Sequence, residues 1–449
     1  MREFGVDFFG RLRSFIDIFG IGGLLIVIIA AIIVTVIALW RGTGFVLLIL
    51  FLSFSMGAIS QRGIIFMATL VRWGCLALLG VGIFKRPRFY GRGILFFAFY
   101  VFLGAVFIFL SPMILWTTQQ TFLLAMTVFG ISVAVNSYAV SCKHIDNLFK
   151  MGITAAAVWT ITSMLFVSEY LYSTRARFST SEEIGGVAVA YAGVFFAPMV
   201  FWGVIQNRYK LWRILSILLY VPFIFIVMLG GVRSAMLGML VIACLPLLFF
   251  KVRLIKLILL GSILVILIVA AVSLLFVMVP DKAQYLVERI FTISTTGRFE
   301  LWVTALGLCM KSGFIGHGIG SSDAAIFELN MYFHNAYLII WYNAGLLGLL
   351  SILLFFANYL WKSFRLVLTS GTPELSEYSR LGLGYMLGIM AMGMFEGVFA
   401  TASGIGLVML IIVSNLIDQI RHLSLIETFG QGSEQITIDD ETGYPVVSY

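Results

Sequence analysis

Long, nearly uncharged apolar runs dominate this chain and decide what it can fold into. Runs such as 21–39, 64–84 and 257–279 are close to the ~20 residues that a helix needs to cross a bilayer. Hydrophobic residues make up 61% of the 449 residues and charged residues only 11%, which excludes a single soluble core. No signal-peptide cleavage site is apparent, so the first run is predicted to remain as an anchor. The sequence predicts an all-α, polytopic integral membrane protein.

Basic loops between the apolar runs carry most of the net charge of +8 and orient the spans. Loops 207–213 and 251–256 should face the cytoplasm by the positive-inside rule. Two spans, 214–229 and 234–250, lie between them and place Arg233 at the outer face. The next span, 257–279, ends at that face and opens a long outer loop with short helices over 280–335. Arg233, Arg298 and His334 are therefore predicted to share one side of the membrane.

The same rule accounts for most of the other spans. They are predicted at 45–59, 64–84, 94–110, 122–140, 153–167, 187–205 and 336–357, with two more before the C-terminus, about 12 or 13 in all. Three runs precede the basic loop 85–88, which conflicts with a cytoplasmic position for the basic residues at 11–13. Residues 1–426 form the predicted transmembrane domain. The polar stretch 427–449 is predicted to be a disordered cytoplasmic tail.

Spacing excludes several other kinds of site. The four cysteines lie far apart and predict neither a disulfide framework nor a zinc site. The outer histidines and carboxylates do not have metal-ligand spacing, so neither a metal nor another cofactor is expected. Gly316, Gly318 and Gly320 lack the βαβ context of a dinucleotide loop and predict a tight turn. Gly345 and Gly348, within an apolar run, predict close helix packing. The basic loops give orientation and do not predict a nucleic-acid partner.

Four ionisable residues are candidates for chemistry at the outer face. Arg298 is either a snorkelling arginine that anchors a short helix or a ligand for an anion. Arg233 begins a helix, so its guanidinium and the free helix N–H groups favour an anion in the same outer space. His334 is either a structural imidazole at a helix start or a general base. Glu396 interrupts an apolar run near the outer end, where it could line the same cavity as His334.

The order of short motifs resembles one known family. The chain contains Gly-Val-Arg-Ser-Ala at 231–235, Gly-Arg-Phe-Glu-Leu-Trp at 297–302, a glycine turn at 316–320, His-Asn-Ala-Tyr-Leu at 334–338 and Asn-Ala-Gly-Leu-Leu-Gly at 343–348. This pattern, within a motif-bearing region of 187–360, resembles the O-antigen ligase and polymerase family of bacterial envelope glycosyltransferases. Departures are a short outer loop and a histidine within the glycine turn.

The resemblance implies an enzyme of the bacterial inner membrane with its active site facing the periplasm. It implies metal-independent, inverting transfer of a glycan from an undecaprenyl diphosphate carrier in the bilayer to an acceptor sugar hydroxyl. The acceptor is a growing surface polysaccharide or a lipid A core, and the sequence does not separate a polymerase from a ligase.

The residues suit that chemistry. Arg233 and Arg298 can neutralise the diphosphate leaving group through their forked donors, and His334 can take the hydroxyl proton. Substrate binding is predicted for Arg233, Arg298, Asn335, Tyr337 and Glu396. The alternative is a lipid-linked glycan flippase or another polytopic transporter, whose key charges should lie near the bilayer midplane. Because the charges cluster at one face, the sequence favours the enzyme.

Overall fold

A computed structural model gives the fold of most of the chain. The described residues are 42–56, 62–85, 91–172, 186–206, 208–230, 232–249, 279–291, 298–323, 332–400, 402, 404–430, 436–438 and 445–447, with isolated positions between 16 and 277. The predicted span 21–39 lies wholly outside these residues, and so does nearly all of the predicted span 257–279. The basic segments 11–13 and 251–256 also lie outside them.

Helices account for almost all of the described residues. Their bounds are Thr43–Met56, Arg62–Lys85, Gly93–Val106, Ile114–Ala125, Ile131–Tyr138, Cys142–Tyr172, Gly186–Ile205, Lys210–Leu229, Arg233–Phe249, Pro280–Phe291, Arg298–Ser312, Ala336–Thr369, Pro373–Gly393 and Ile405–Gly430. A 3₁₀ turn, Phe107–Leu110, extends the third helix, and a π-helical turn, Met126–Gly130, joins the fourth to the fifth.

Several of these helices are built to cross a bilayer. Six described segments are long and apolar enough to do so: Gly93–Leu110, Ile114–Tyr138, Cys142–Val167, Lys210–Leu229, Ala336–Thr369 and Ile405–Glu427. Large apolar side chains such as Phe102, Leu115 and Leu218 are exposed on their outer surfaces, as a lipid environment allows. The predicted all-α, multi-span fold is confirmed. The total number of spans and their sidedness stay predictions.

Two glycines bring the Arg233 helix and the Pro373 helix, each named by its first residue, into close contact. A side chain at Gly238 would fall 2.1 Å from the sulfur of Met392, and one at Gly388 would fall 2.6 Å from Cγ1 of Ile242. Because 238 lies against 392 and 242 lies against 388, the two helices run antiparallel. The start of the Arg233 helix is therefore level with the residues that follow the Pro373 helix.

The helix Ala336–Thr369 is broken at the Asn-Ala-Gly motif. Ala344 and Gly345 leave the helical region, and Gly345 has φ 69°, a left-handed conformation that glycine adopts without steric cost. A side chain at Gly345 would fall 2.0 Å from the carbonyl oxygen of Phe314. The predicted helix packing at Gly345 is wrong, because this glycine packs against a loop. Gly348 does face another helix, with the Tyr100 ring 3.4 Å from its added side chain.

The loop that packs against the break supplies hydrogen bonds that the helix loses there. The N–H of His317 donates to the carbonyl oxygen of Tyr342 at 3.1 Å, and the N–H of Gly318 donates to that of Asn343 at 2.8 Å. In return, the N–H of Leu346 donates to the carbonyl oxygen of Gly313 at 3.2 Å. Irregular backbone inside a membrane protein is tolerated where such partners exist. The predicted tight turn is present, with left-handed backbone at Gly318 and Gly320.

The far end of the bundle holds a second group of charges around Arg208. The helix Lys210–Leu229 separates Arg208 from Arg233 and spans about 30 Å at 1.5 Å per residue. Arg208 lies 3.4 Å from Asp146, 3.0 Å from Glu374 and 3.5 Å from Glu377. We call these four residues the Arg208 cluster.

Near the C-terminus the structure describes a helix and two short strands. Helix Ile405–Gly430 continues past the predicted domain boundary at 426, and Ile436–Ile438 pairs in antiparallel fashion with Pro445–Val447. The disordered cytoplasmic tail over 427–449 stays a prediction. Short runs rich in Ile, Val and Thr favour strands.

Candidate active site

Three titratable side chains from three separate segments meet at one end of the bundle. Oε1 of Glu396 accepts a hydrogen bond from Nη2 of Arg298 at 3.2 Å. The other carboxylate oxygen, Oε2, lies 3.0 Å from Nδ1 of His334. Nη1 of Arg298 also donates to the carbonyl oxygen of Phe395 at 3.1 Å. We call Arg298, His334 and Glu396 the His334 cluster.

Burial differs within the His334 cluster. The Glu396 side chain is only 9% exposed, whereas those of Arg298 and His334 are 33% and 36% exposed. A buried carboxylate is stabilised by partners, and here one oxygen faces each of two partners. The guanidinium and the imidazole are accessible to a ligand, and the carboxylate lies behind them.

The backbone at His334 is held in an unusual conformation. Among the described residues, His334 is the one non-glycine residue with positive φ, at 47°. Such a conformation persists where surrounding contacts impose it, and it is frequent at functional sites. Asn335 supplies two such contacts: its Oδ1 caps the next helix by accepting from the N–H groups of Tyr337 and Leu338, and its Nδ2 donates to the carbonyl oxygen of Met394 at 3.0 Å.

Asn335 and Tyr337, both predicted to bind substrate, use their polar groups inside the protein. The Tyr337 hydroxyl donates to the carbonyl oxygen of Met390 at 3.0 Å, near the end of the Pro373 helix. Together the two side chains fasten the start of helix Ala336–Thr369 to the segment that carries Glu396. Their contacts therefore suit positioning of His334 better than direct contact with substrate.

Tyr332 is a neighbour of the cluster that sequence reasoning missed. Its ring contacts His334 edge-on, with ring centroids 4.7 Å apart. Burial, together with the negative charges of Glu396 and Asp323, raises the pKa of Tyr332 to about 12. The hydroxyl therefore remains protonated at neutral pH and can donate a hydrogen bond. Its position two residues before His334 was the available signal.

The antiparallel helix pair places Arg233 at the same end of the bundle as the His334 cluster. The Arg233 helix begins level with Glu396, and Arg233 itself is exposed. Next to it, Oγ of the buried Ser234 lies 2.5 Å from the Tyr191 hydroxyl. The charges of Glu396 and Arg298 reach that same hydroxyl, which ties the helix start electrostatically to the cluster. The structure thus gathers Arg233, Arg298, His334 and Glu396 at one end of the bundle.

Two other residues noted in the sequence lie elsewhere. His317 stacks on the Tyr342 ring, with centroids 4.4 Å apart, and belongs to the loop at the helix break. The guanidinium of Arg72, an ionisable residue in an apolar helix, lies over the Phe54 ring at 4.7 Å, a cation–π contact.

Within the described part of the chain, no three His, Cys, Asp or Glu side chains form a group that could ligate a metal ion. The donor set of the His334 cluster, one carboxylate and one imidazole beside a guanidinium, also fits a metal ion poorly. It fits an anion and a transferable proton.

Fold and site together define a multi-pass α-helical membrane protein with a cationic, histidine-containing site at one end. Residues 217–353 match the family model described as O-Antigen ligase. The resemblance that the motifs predicted is confirmed over that segment, and it indicates a glycosyltransferase type of activity. The matched segment includes Arg233, Arg298 and His334, whereas Glu396 lies beyond its end. No curated protein matches the chain.

Proposed function

We propose that this protein is a membrane glycosyltransferase of the O-antigen ligase and polymerase type. It transfers a glycan from an undecaprenyl-diphosphate-linked donor to a sugar hydroxyl of a growing surface polysaccharide or a lipid A core. It acts at the periplasmic face of the bacterial inner membrane. The observation that carries the proposal is the contact of Arg298 and His334, both inside the segment that matches the family, with the single carboxylate of Glu396.

The arginines hold the donor in this mechanism. A diphosphate accepts paired hydrogen bonds from a guanidinium fork, and the exposed face of Arg298 offers such a fork. Arg233 lies at a helix start, where free N–H groups add to its charge. These fixed positive charges stabilise the negative charge that grows on the leaving diphosphate. They supply the role that a divalent metal plays in other transferases.

His334 acts as the general base. Its Nδ1 faces Glu396, so the carboxylate fixes the tautomer and leaves Nε2 to accept a proton. The acceptor oxygen forms a bond to the anomeric carbon as the bond from that carbon to the diphosphate oxygen breaks. The hydroxyl proton passes to Nε2, and the electron pair leaves with the diphosphate. A single displacement of this kind inverts the anomeric configuration.

The location of the charges argues against the transporter. A flippase needs cationic residues near the bilayer midplane, often in broken helices. This chain has a broken helix, but the loop 313–318 closes the break at Gly345. The charged cluster lies at the other end of that segment, with His334 eleven residues before Gly345. The arrangement supports a one-sided enzyme.

Replacing His334 with Ala tests the assignment of the base. Transfer should fall by about 10²- to 10⁴-fold while the donor still binds, because both arginines remain. The matched variant Arg298→Lys keeps the charge but loses the fork, and it should weaken donor binding first. Transfer and donor binding are measured on purified protein in detergent, with folding checked by thermal unfolding. A folded His334→Ala protein that transfers glycan at the parental rate would remove His334 from the mechanism.

The metal-independent scheme has its own test. Transfer in excess chelator should continue at the untreated rate, because guanidinium groups carry the charge. A loss of transfer that magnesium or manganese restores would contradict the scheme.

A further inference from the structure

Glu396 occupies a position that links the donor site to the base. It is the shared partner of Arg298 and His334, with a separate oxygen for each. Its side chain is buried, so its charge cannot be screened by water if one partner leaves. Any event that removes Arg298 must therefore change the electrostatic environment of His334.

The contact between Arg298 and Glu396 is one that a diphosphate can displace. Arg298 donates to the carboxylate through Nη2 alone, at 3.2 Å, whereas Nη1 donates to the carbonyl oxygen of Phe395. A paired contact with two phosphate oxygens is stronger and better matched to the guanidinium plane. Since the Arg298 side chain is one-third exposed, a donor can engage it from the open side.

We propose that donor binding draws Arg298 away from Glu396 and thereby raises the proton affinity of His334, so that the imidazole is a stronger base in the donor complex than in the free protein. This inference rests on the proposed function and concerns the regulation of the same site. Before donor binding, the charge of Glu396 is divided between a guanidinium and an imidazole. Afterwards it serves His334 alone, and a buried carboxylate without another cation favours the protonated imidazole.

The other groups around His334 do not replace Glu396 in this role. Tyr332, on the same segment, stays neutral at neutral pH. Arg233 and the Tyr191 hydroxyl lie on two further helices, and neither supplies negative charge at neutral pH. Asp323, whose charge reaches Tyr332, accepts a hydrogen bond from Nε1 of Trp116. Among the described residues, Glu396 is the acidic group in contact with both Arg298 and the imidazole.

Proton uptake on donor binding gives a direct test. The probe is a short-chain prenyl diphosphoryl sugar, a diphosphate diester that does not itself titrate between pH 6 and 8. Calorimetric titration of the wild-type protein without acceptor, in two buffers with different ionisation enthalpies, measures the protons taken up per donor bound. We expect uptake of a fraction of a proton near neutral pH in the wild-type protein, with the His334 side chains that stay unprotonated acting as the base, and no uptake in His334→Ala.

The variant Glu396→Gln separates this coupling from a structural role. The near-isosteric amide removes the competing charge, so donor binding should strengthen, by about fivefold, even as transfer falls by about 10². Proton uptake should disappear. The acidic limb of the pH–rate profile should also move to lower pH, because a less basic imidazole stays unprotonated down to a lower pH. Glu288→Gln, which removes an exposed carboxylate from the helix Pro280–Phe291, is the matched control and should change none of these quantities.

The outcomes distinguish the two proposals. Absence of proton uptake in the wild-type protein, or weaker donor binding in Glu396→Gln, would overturn the coupling and leave the base assignment intact if His334→Ala still abolishes transfer. Retention of transfer in His334→Ala would instead overturn the proposed function of His334.

Discussion

The His334 cluster and the Arg208 cluster lie at opposite ends of the bundle and differ in their ratio of acidic to basic groups. At the Arg208 end, one guanidinium serves Asp146, Glu374 and Glu377. Although burial lowers the pKa of Arg208, its contacts with Tyr378, Asp146 and Glu374 outweigh burial and raise it above its ordinary value. At the His334 end, one carboxylate serves a guanidinium and an imidazole.

The difference teaches what each end is suited to do. Tyr209 and Tyr378 donate hydrogen bonds to the two oxygens of Asp146, so the acceptors at the Arg208 end are satisfied within the protein. That end holds together Cys142–Tyr172, the segment before Lys210–Leu229 and the start of the Pro373 helix. Among the described residues, the His334 end combines Arg298 and Arg233 with one carboxylate that Arg298 and His334 share, and such a set can accept a further anion.

The largest effect should separate the two ends by activity. Arg298→Ala should lower glycan transfer by about 10²- to 10³-fold, because it removes a fixed charge that stabilises the leaving group. Arg208→Ala should leave the transfer rate per folded molecule nearly unchanged. Purified proteins in detergent, with rates normalised to the folded fraction, provide the measurement. Equal losses in both variants would mean that the Arg208 cluster also supports catalysis.

Stability should be affected more by Arg208→Ala than by Arg298→Ala. Arg208→Ala leaves the buried Asp146 without its cation and should lower the unfolding free energy by about 3 kcal/mol. Arg298→Ala should cost less, about 1 kcal/mol, because Glu396 keeps its contact with His334. Thermal unfolding followed by tryptophan fluorescence measures both. The comparison fails if Arg298→Ala is the less stable of the two.

A smaller effect concerns the cap that holds His334. Asn335→Ala removes the helix cap and should cost about 1 kcal/mol of stability. Asn335→Asp keeps the capping oxygen and loses only the donation to Met394, so its cost should be a few tenths of that. The rate of glycan transfer should also fall more in Asn335→Ala than in Asn335→Asp. A larger loss of stability in Asn335→Asp than in Asn335→Ala would show that the Met394 contact, and not the cap, holds this segment.

The sequence predicted the helices well and the charge partners only in part. Long apolar runs indicate helices. The observed bounds of Lys210–Leu229 and Arg233–Phe249 therefore agree with the predicted spans to within a few residues. Glu396 was noted because a carboxylate within an apolar run needs a partner. That the partners are His334, 62 residues away, and Arg298, 98 residues away, depends on helix packing that no local pattern contains.

Other buried charges escaped notice because polar neighbours in the sequence hide them. Asp418 pairs with Lys362 at 2.5 Å and accepts from the Tyr359 hydroxyl at 2.7 Å, while Gly91 leaves room for its carboxylate. Asp418 lies near the polar end of its helix, where a carboxylate looks solvated. The helix break was likewise hidden, because Gly345 in an apolar run is typical of helix packing as well.

The closed break in helix Ala336–Thr369 has a consequence for the time scale on which this region opens. Amide protons in an irregular loop usually exchange with solvent quickly, but those of His317, Gly318 and Leu346 are held between the loop and the interrupted helix. Their exchange requires the loop and helix to part together, so these protons should exchange as slowly as those of a transmembrane helix. Slow exchange at Gly313–Gly318 would make this loop a rigid support from which Arg298 and His334 are both presented.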